Sequence, residues 1–133
     1  MSDTAGWAWS PRTDPTPAPG ELSAERLRAL YQALLVPRLI EEKALLLLRQ
    51  GKLSKWFSGM GQEAIAVGVT AALEADDWIL PMHRNLGVFT TRGVDLARLF
   101  RQLFGRDGGF TQGRDRTFHF GLLESRIVGM ISH

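Results

Sequence analysis

The sequence predicts an α/β chain, mostly helical with a few short strands. Two observations carry that class. Apolar residues recur at helical spacing from Ser23 onward. Two short apolar runs, Trp78-Ile79-Leu80-Pro81 and Ile127-Val128-Gly129-Met130-Ile131, read as buried strands. A length of 133 residues suffices for one modest domain with a sizeable core.

Residues 1–22 are read as a flexible proline-rich arm, because four of the six prolines lie in the first twenty positions. Trp7 and Trp9 are unusual in such a tail, and their apolar bodies suit docking on a partner surface. Ser23 is a suitable N-cap, and Glu25 adds negative charge to the first turn. Leu27, Leu30, Tyr31, Leu34 and Leu35 then form one apolar helical face. Pro37 removes a backbone donor and is expected to kink or break that helix. A second helical stretch, Leu39 to Gln50, ends at the C-cap glycine Gly51. Leu45 to Leu48 are apolar around much of the circumference, which implies burial on several sides and a larger assembly.

Gly59-Met60-Gly61 reads as a loop before a helix from Gln62 to Leu73, whose small residues permit close packing. Asp76 and Asp77 interrupt that pattern. Leu86 to Thr91 is expected to be helical, Gly93 to break it, and Asp95 to cap a helix reaching about Phe104. Gly105 to Gly113 holds four glycines and reads as a loop. The chain stops at His133, just after an apolar run. A domain rarely stops on a buried strand, so residues 23–133 are expected to be an incomplete domain.

Composition narrows the function classes. Hydrophobic residues make up 44% and the formal net charge is +2, with no basic cluster to form a nucleic-acid surface. The absence of cysteine excludes disulfides, thiolate zinc sites and thiol nucleophiles. The N-terminus lacks the pattern of a secretory signal, and the apolar run Ala44 to Leu48 is too short to span a bilayer. A cytoplasmic protein with neither nucleic-acid nor membrane partners is the expectation.

Four constellations are candidates for chemistry. Pro81-Met82-His83-Arg84 follows an expected strand, where ligands of open α/β sheets bind. Arg84 there offers a planar fork of donors to a phosphate, and His83 adds another. Helix capping, or pairing with Asp76 or Asp77, is the commoner fate of such an arginine. Gly113 to Gly121 is a glycine-bounded loop with two arginines, His119, Phe118 and Phe120. A histidine between two phenylalanines is more often packed and hydrogen-bonded than catalytic. Glu63, in Gly61-Gln62-Glu63-Ala64, is either a buried acid or a first-turn carboxylate favoured by the helix dipole. Ser132-His133 is no catalytic dyad, because adjacent strand side chains point to opposite faces. No histidine has metal-ligand spacing, Asp76-Asp77 is too short for a calcium loop, and neither GxxxxGK[ST] nor GxGxxG occurs.

In order, these pieces resemble the N-terminal helices of the alpha subunit of thiamine-diphosphate-dependent 2-oxo acid dehydrogenases. The matching series is Arg38 with Glu41-Glu42, then Gly51, then Gly61-Gln62-Glu63-Ala64, then Asp77-Trp78, Pro81 and His83-Arg84. Gly113-Arg114 through His119-Phe120 closes it. The resemblance covers roughly residues 23–133, and its specificity lies in order and spacing rather than in one motif. It implies the N-terminal part of a thiamine-diphosphate-binding fold. It assigns His83, Arg84 and Ser132 to the cofactor, with Arg84 on the phosphates and His83 where relatives usually carry tyrosine. It puts Phe57, Met82 and His119 at the substrate pocket. His133 stands where potassium-binding relatives have proline, so that ion is not carried over.

The implied reaction is oxidative decarboxylation of a 2-oxo acid, of branched-chain type by the loop before His119-Phe120, with acyl transfer to a lipoyl group. The implied partners are a beta subunit, which supplies the activating glutamate, and the lipoyl-bearing acyltransferase component. Glu63 is therefore not that acid. Magnesium is expected on a GDG-to-NN segment downstream of the matched stretch. The competing reading is a non-catalytic helical interaction module or remnant. The 133-residue chain by itself is expected to bind thiamine diphosphate weakly or not at all. Micromolar binding in a calorimetric titration with cofactor and magnesium would refute that expectation.

Overall fold

The computed structural model describes residues 22–115 and 118–129. The proline-rich arm with Trp7 and Trp9, and the stretch from Met130 that contains Ser132 and His133, lie outside them. The described residues are mostly helical: α1 spans Ala24–Arg49, α2 Glu63–Ala72, α3 Leu86–Thr91 and α4 Leu96–Leu103, followed by a single 3₁₀ turn at Leu123–Ser125.

Ser23 caps α1 as expected, its hydroxyl accepting from the Arg26 amide at 3.2 Å. Of the kink or break expected at Pro37, the break does not occur, for α1 runs through it as one helix of 26 residues. Proline costs one main-chain hydrogen bond and a clash one turn back. Here Pro37 is itself buried beside Ile40, Glu41 and Ala44, so packing holds the helix across the defect. Gly51 ends it at φ +68°. Its amide bonds Leu48 O at 3.0 Å and the Lys52 amide bonds Leu47 O at 2.9 Å, the Schellman pattern.

The buried face of α1 is not the expected leucine face. Leu27, Tyr31, Leu35 and Leu39 are exposed, and Leu46 in the leucine run is exposed too. The protected side runs through Pro37, Ile40, Glu41 and Ala44. Their spacing of three and four residues makes one stripe, and small Ala44 lets neighbours approach.

α2 and α3 pack against α1 and against each other. At their crossing, a Cβ on Gly87 would sit 2.9 Å from the Ala66 Cβ, so only glycine admits this approach. Gly93, at φ +72°, turns the chain after α3. The Asp95 carboxylate then caps α4 by accepting from the Arg98 amide at 2.6 Å. Before α3, the expected interruption at Asp76-Asp77 is a turn clamped by Arg92. Its guanidinium donates to the carbonyls of Glu74, Ala75 and Asp77 at 2.8 to 3.1 Å.

The expected strands shrink to single contacts. Ile79 forms an isolated parallel bridge with Ile127, and Leu122 an antiparallel one with the same residue. No longer strand forms among the described residues. Among the described residues of its run only Ile127 forms a bridge, and Trp78 and Leu80 are exposed rather than buried. A strand is stabilised by neighbours on both edges and a covered face. Here Ile79 meets one neighbour, through Ile79 N to Arg126 O and Val128 N to Ile79 O, each 2.9 Å.

Phe89, fully buried, centres the core. Its ring lies 5.0 Å from Phe118 and 5.2 Å from Phe120 between centroids, and Phe110 stacks on Phe120 at 4.4 Å. These are favoured tilted and offset contacts. Gln102, also fully buried, ties α4 to the following loop. Its side chain donates to Asp115 O at 3.0 Å and accepts from the Thr111 amide at 2.9 Å. Phe89→Ala removes the shared ring of this cluster and is expected to cost about 3–5 kcal/mol, read by urea unfolding.

Candidate functional site

The site is built on two loops that meet over α1. The first, residues 54–61, leaves the Gly51 turn and precedes α2; the second, 81–85, precedes α3. Four of the sequence-predicted residues sit on them. The Phe57 ring lies 4.5 Å from the His83 ring between centroids, at an angle of 57°. Lys55 Nζ sits 4.8 Å from the Phe57 centroid, a cation–π distance. Met82, beside His83 in the chain, is exposed. Arg84 is exposed, and its Nη1 donates to Ser58 O at 2.7 Å. That bond joins the second loop to the first. The pairing with Asp76 or Asp77 that spacing also allowed is not formed among the described residues, and Arg92 instead donates to the main-chain carbonyl of Asp77. His83 Nδ1 is buried with no hydrogen-bond partner among the described residues. A buried, unpaired imidazole nitrogen is costly unless it serves a ligand or a proton.

Beneath the loops lies a carboxylate that composition did not single out. Glu41, on the buried stripe of α1, is 1% exposed. Its Oε2 accepts from Trp56 Nε1 at 2.7 Å and Ser58 Oγ at 2.9 Å, and its Oε1 accepts from the Gly59 amide at 2.8 Å. The available signal was its register. Glu41 falls at spacing four from Pro37 and three from Ala44, where an apolar residue is the rule.

Glu63 resolves the ambiguity left by its position, because it is both a buried acid and a first-turn carboxylate. Its Oε1 accepts from Arg38 Nε at 2.6 Å and its Oε2 from the Gly61 amide at 2.8 Å. The hydrogen bond to Arg38 holds the Glu63 carboxyl below the ordinary carboxylate range, against the opposing effect of burial. The pair links α1 to the start of α2, so Glu63 is committed to a structural role.

His119 does not join this group through any recorded contact. Its Nδ1 lies 3.2 Å from Asp115 Oδ2, while flanking Phe118 and Phe120 are buried in the core. The histidine is therefore hydrogen-bonded, as expected of such a loop, while its ring stays partly exposed. No group of three His, Asp or Glu that could hold a metal comes together among the described residues. Among the described residues no helix is long and apolar enough to cross a membrane. An apolar cleft of about 420 Å³ lies elsewhere, between α1 at Ala29, Ala33 and Val36 and the turn at Gly93-Val94. It contains none of the predicted site residues.

Comparison with known proteins supplies a context for this geometry. The model of the dehydrogenase E1 component family matches residues 31–132. The alpha subunit of 3-methyl-2-oxobutanoate dehydrogenase of Mycobacterium tuberculosis is 40% identical over 74 residues, 56% of this chain and 20% of that protein. The E1 component alpha subunit of pyruvate dehydrogenase of Acholeplasma laidlawii is 36% identical over 89 residues, 67% of this chain and 26% of that one. The mitochondrial 2-oxoisovalerate dehydrogenase alpha subunit of Dictyostelium discoideum is 30% identical over 121 residues, 91% and 26% of the two chains. The chain thus spans about a quarter or less of the length of these relatives.

The Arg38–Glu63 pair has a pH signature. The folded-state pKa of Glu63 is depressed, so its contribution is complete above the ordinary carboxylate range. It is lost as the pH falls through the depressed value. Glu63→Gln is expected to lower stability by about 1–2 kcal/mol at pH 7. The difference from the parent should shrink in urea unfolding midpoints as the pH falls below the ordinary carboxylate range, and vanish once the pH is below the depressed value.

Proposed function

The chain belongs to the dehydrogenase E1 component family, and from that premise we propose that it forms one wall of the cofactor site of a thiamine-diphosphate-dependent 2-oxo acid dehydrogenase alpha subunit. The observation that carries the reading is the Phe57–Ser58–His83–Arg84 cluster. Arg84 is exposed and anchored through one guanidinium nitrogen to Ser58 O, and it makes no ion pair with a carboxylate among the described residues. A tethered guanidinium of this kind suits a diphosphate, which it grips with its remaining donors. His83, next to Arg84 in the chain, has a buried Nδ1 with no hydrogen-bond partner among the described residues, an unmet polar group that a ligand would satisfy. The cluster therefore fits the cofactor's chemistry.

In this reading Arg84 and His83 hold the diphosphate end, with Ser132 a further cofactor-lining residue. Phe57, Met82 and His119 shape the substrate pocket, His119 steadied by Asp115. When bound, thiamine diphosphate supplies the electron sink for loss of carbon dioxide from a 2-oxo acid, and the protein supplies orientation. Magnesium, which would neutralise the diphosphate, is assigned to a segment outside the 133 residues. The bridges of Ile127 with Ile79 and Leu122 are read as the seed of an α/β thiamine-diphosphate-binding fold. A beta subunit and a lipoyl-bearing acyltransferase are the proposed partners, and the cytoplasm the proposed compartment. A branched-chain 2-oxo acid is the favoured substrate. Similarity to relatives named for 3-methyl-2-oxobutanoate and 2-oxoisovalerate supports that choice.

In the assembled enzyme, Arg84→Ala is expected to weaken thiamine diphosphate binding about 10- to 100-fold, with little change in the unfolding midpoint. Arg84→Lys should recover part of the loss. A calorimetric affinity equal to the parent's would remove Arg84 from the site. Rates of decarboxylation with a branched-chain 2-oxo acid and with pyruvate decide the substrate.

A further inference from the structure

Glu41 has an arrangement that helix packing does not require. A carboxylate buried to 1% exposure in the interior of a helix is expensive, and a leucine or methionine there would pack without that cost. The carboxylate is balanced by donors rather than by a direct ion pair. The nearby guanidinium of Arg38 is bonded to Glu63. All three recorded donors to Glu41 come from one four-residue segment, Trp56 to Gly59.

That segment touches the proposed cofactor residues through its other groups. Trp56 and Ser58 turn their side chains to Glu41, while Phe57 between them meets the His83 ring. Ser58 is held to Glu41 by its hydroxyl, and its carbonyl accepts from Arg84 Nη1 at 2.7 Å. Gly59 is held by its amide, and its Cα is pressed against the backbone of Arg84. A Cβ there would lie 2.1 Å from Arg84 O and 3.4 Å from Glu41 Oε1. Arg84 is thus located twice, once through its guanidinium and once through its main chain. Both contacts are made by residues that Glu41 fixes.

We propose that Glu41 is a positioning residue for Arg84: the buried carboxylate locks Ser58 and Gly59, and these set where the Arg84 guanidinium stands. The inference rests on the assignment of Arg84 to the thiamine diphosphate phosphates. Glutamine at position 41 keeps the shape but turns an amide donor toward segment donors, so at least one of the three bonds is lost. The loop then relaxes and the guanidinium loses its register.

The test is a double-mutant cycle in the assembled enzyme, with thiamine diphosphate affinity in the presence of magnesium read by calorimetry. Thermal unfolding is followed alongside. Glu41→Gln is expected to weaken binding about tenfold when Arg84 is present and to have no further effect on Arg84→Ala. Where Arg84→Ala weakens binding but Glu41→Gln gives the same loss in both backgrounds, or none, the positioning role is overturned and the Arg84 assignment survives. Where Arg84→Ala leaves affinity unchanged, the cofactor assignment fails and the inference goes with it. Should Glu41→Gln prevent folding, Ser58→Ala removes only one of the three bonds and is carried through the same cycle. A loss that depends on Arg84 supports the role, and an independent loss or no loss overturns it.

Discussion

The buried carboxylate of Glu41 is the constraint from which the arrangement of the two loops follows. An acid 1% exposed in a helix is tolerable only if its lone pairs are occupied. The chain after the Gly51 turn supplies an indole N–H, a hydroxyl and a main-chain amide within 2.9 Å. Once residues 56–59 are held there, the loop before α3 has one way to pass. Its Arg84 carbonyl lies over Gly59, where no side chain fits. Its guanidinium reaches the Ser58 carbonyl. Pro37, one turn before Glu41 on the same buried stripe, shows how strongly that face is held, since the helix continues through a residue that ordinarily interrupts it.

Two further devices keep the platform rigid. The Arg38–Glu63 pair joins α1 to the entry of α2, and Glu63 also receives the Gly61 amide. On the far side, Phe89 gathers Phe118 and Phe120, and Phe118 reaches Trp56 at 5.8 Å. Trp56 therefore belongs both to the aromatic core and to the donors of Glu41. Around His119, Phe118 and Phe120 are held in that core, and Gln102 bonds Thr111 and the Asp115 carbonyl. The histidine is paired with Asp115 and makes no recorded contact with the Phe57–Arg84 cluster. The loop's aromatic content thus reports packing.

Local signals were read well wherever a local cause decides. Ser23, Gly51, Gly93 and Asp95 mark helix ends because capping depends on one side chain or one positive φ within a few residues. The span Leu86–Thr91 was legible for the same reason. The site was partly legible. Phe57, Met82, His83 and Arg84 come from two short stretches, and the spacing of the ordered series from Arg38 to His119 pointed to the family that matches residues 31–132. Ser58 was not singled out, and Glu41 was marked only as a member of the Arg38 and Glu41-Glu42 motif with no role attached, because their importance lies in contacts with residues 15 to 26 positions away.

Three expectations changed at the tertiary level. The helix runs on through Pro37 rather than breaking there, Leu27, Tyr31 and Leu35 of the expected apolar face are exposed while Leu30 and Leu34 are half-buried, and among the described residues the strand runs reduce to bridges at Ile79 and Ile127. By itself the sequence determined the helix-end signals at Ser23, Gly51, Gly93 and Asp95, which family pattern the chain carries, and which arginine and aromatic residues are candidates for the site. Tertiary structure alone decided which side of α1 is buried, which carboxylate sits beneath the loops, and that Arg92 clamps the Asp76-Asp77 turn while Arg84 reaches Ser58. The reason is physical. Caps and turns are settled by neighbours in the chain, whereas a buried charge or a helix face is settled by whichever distant donors and side chains can satisfy it.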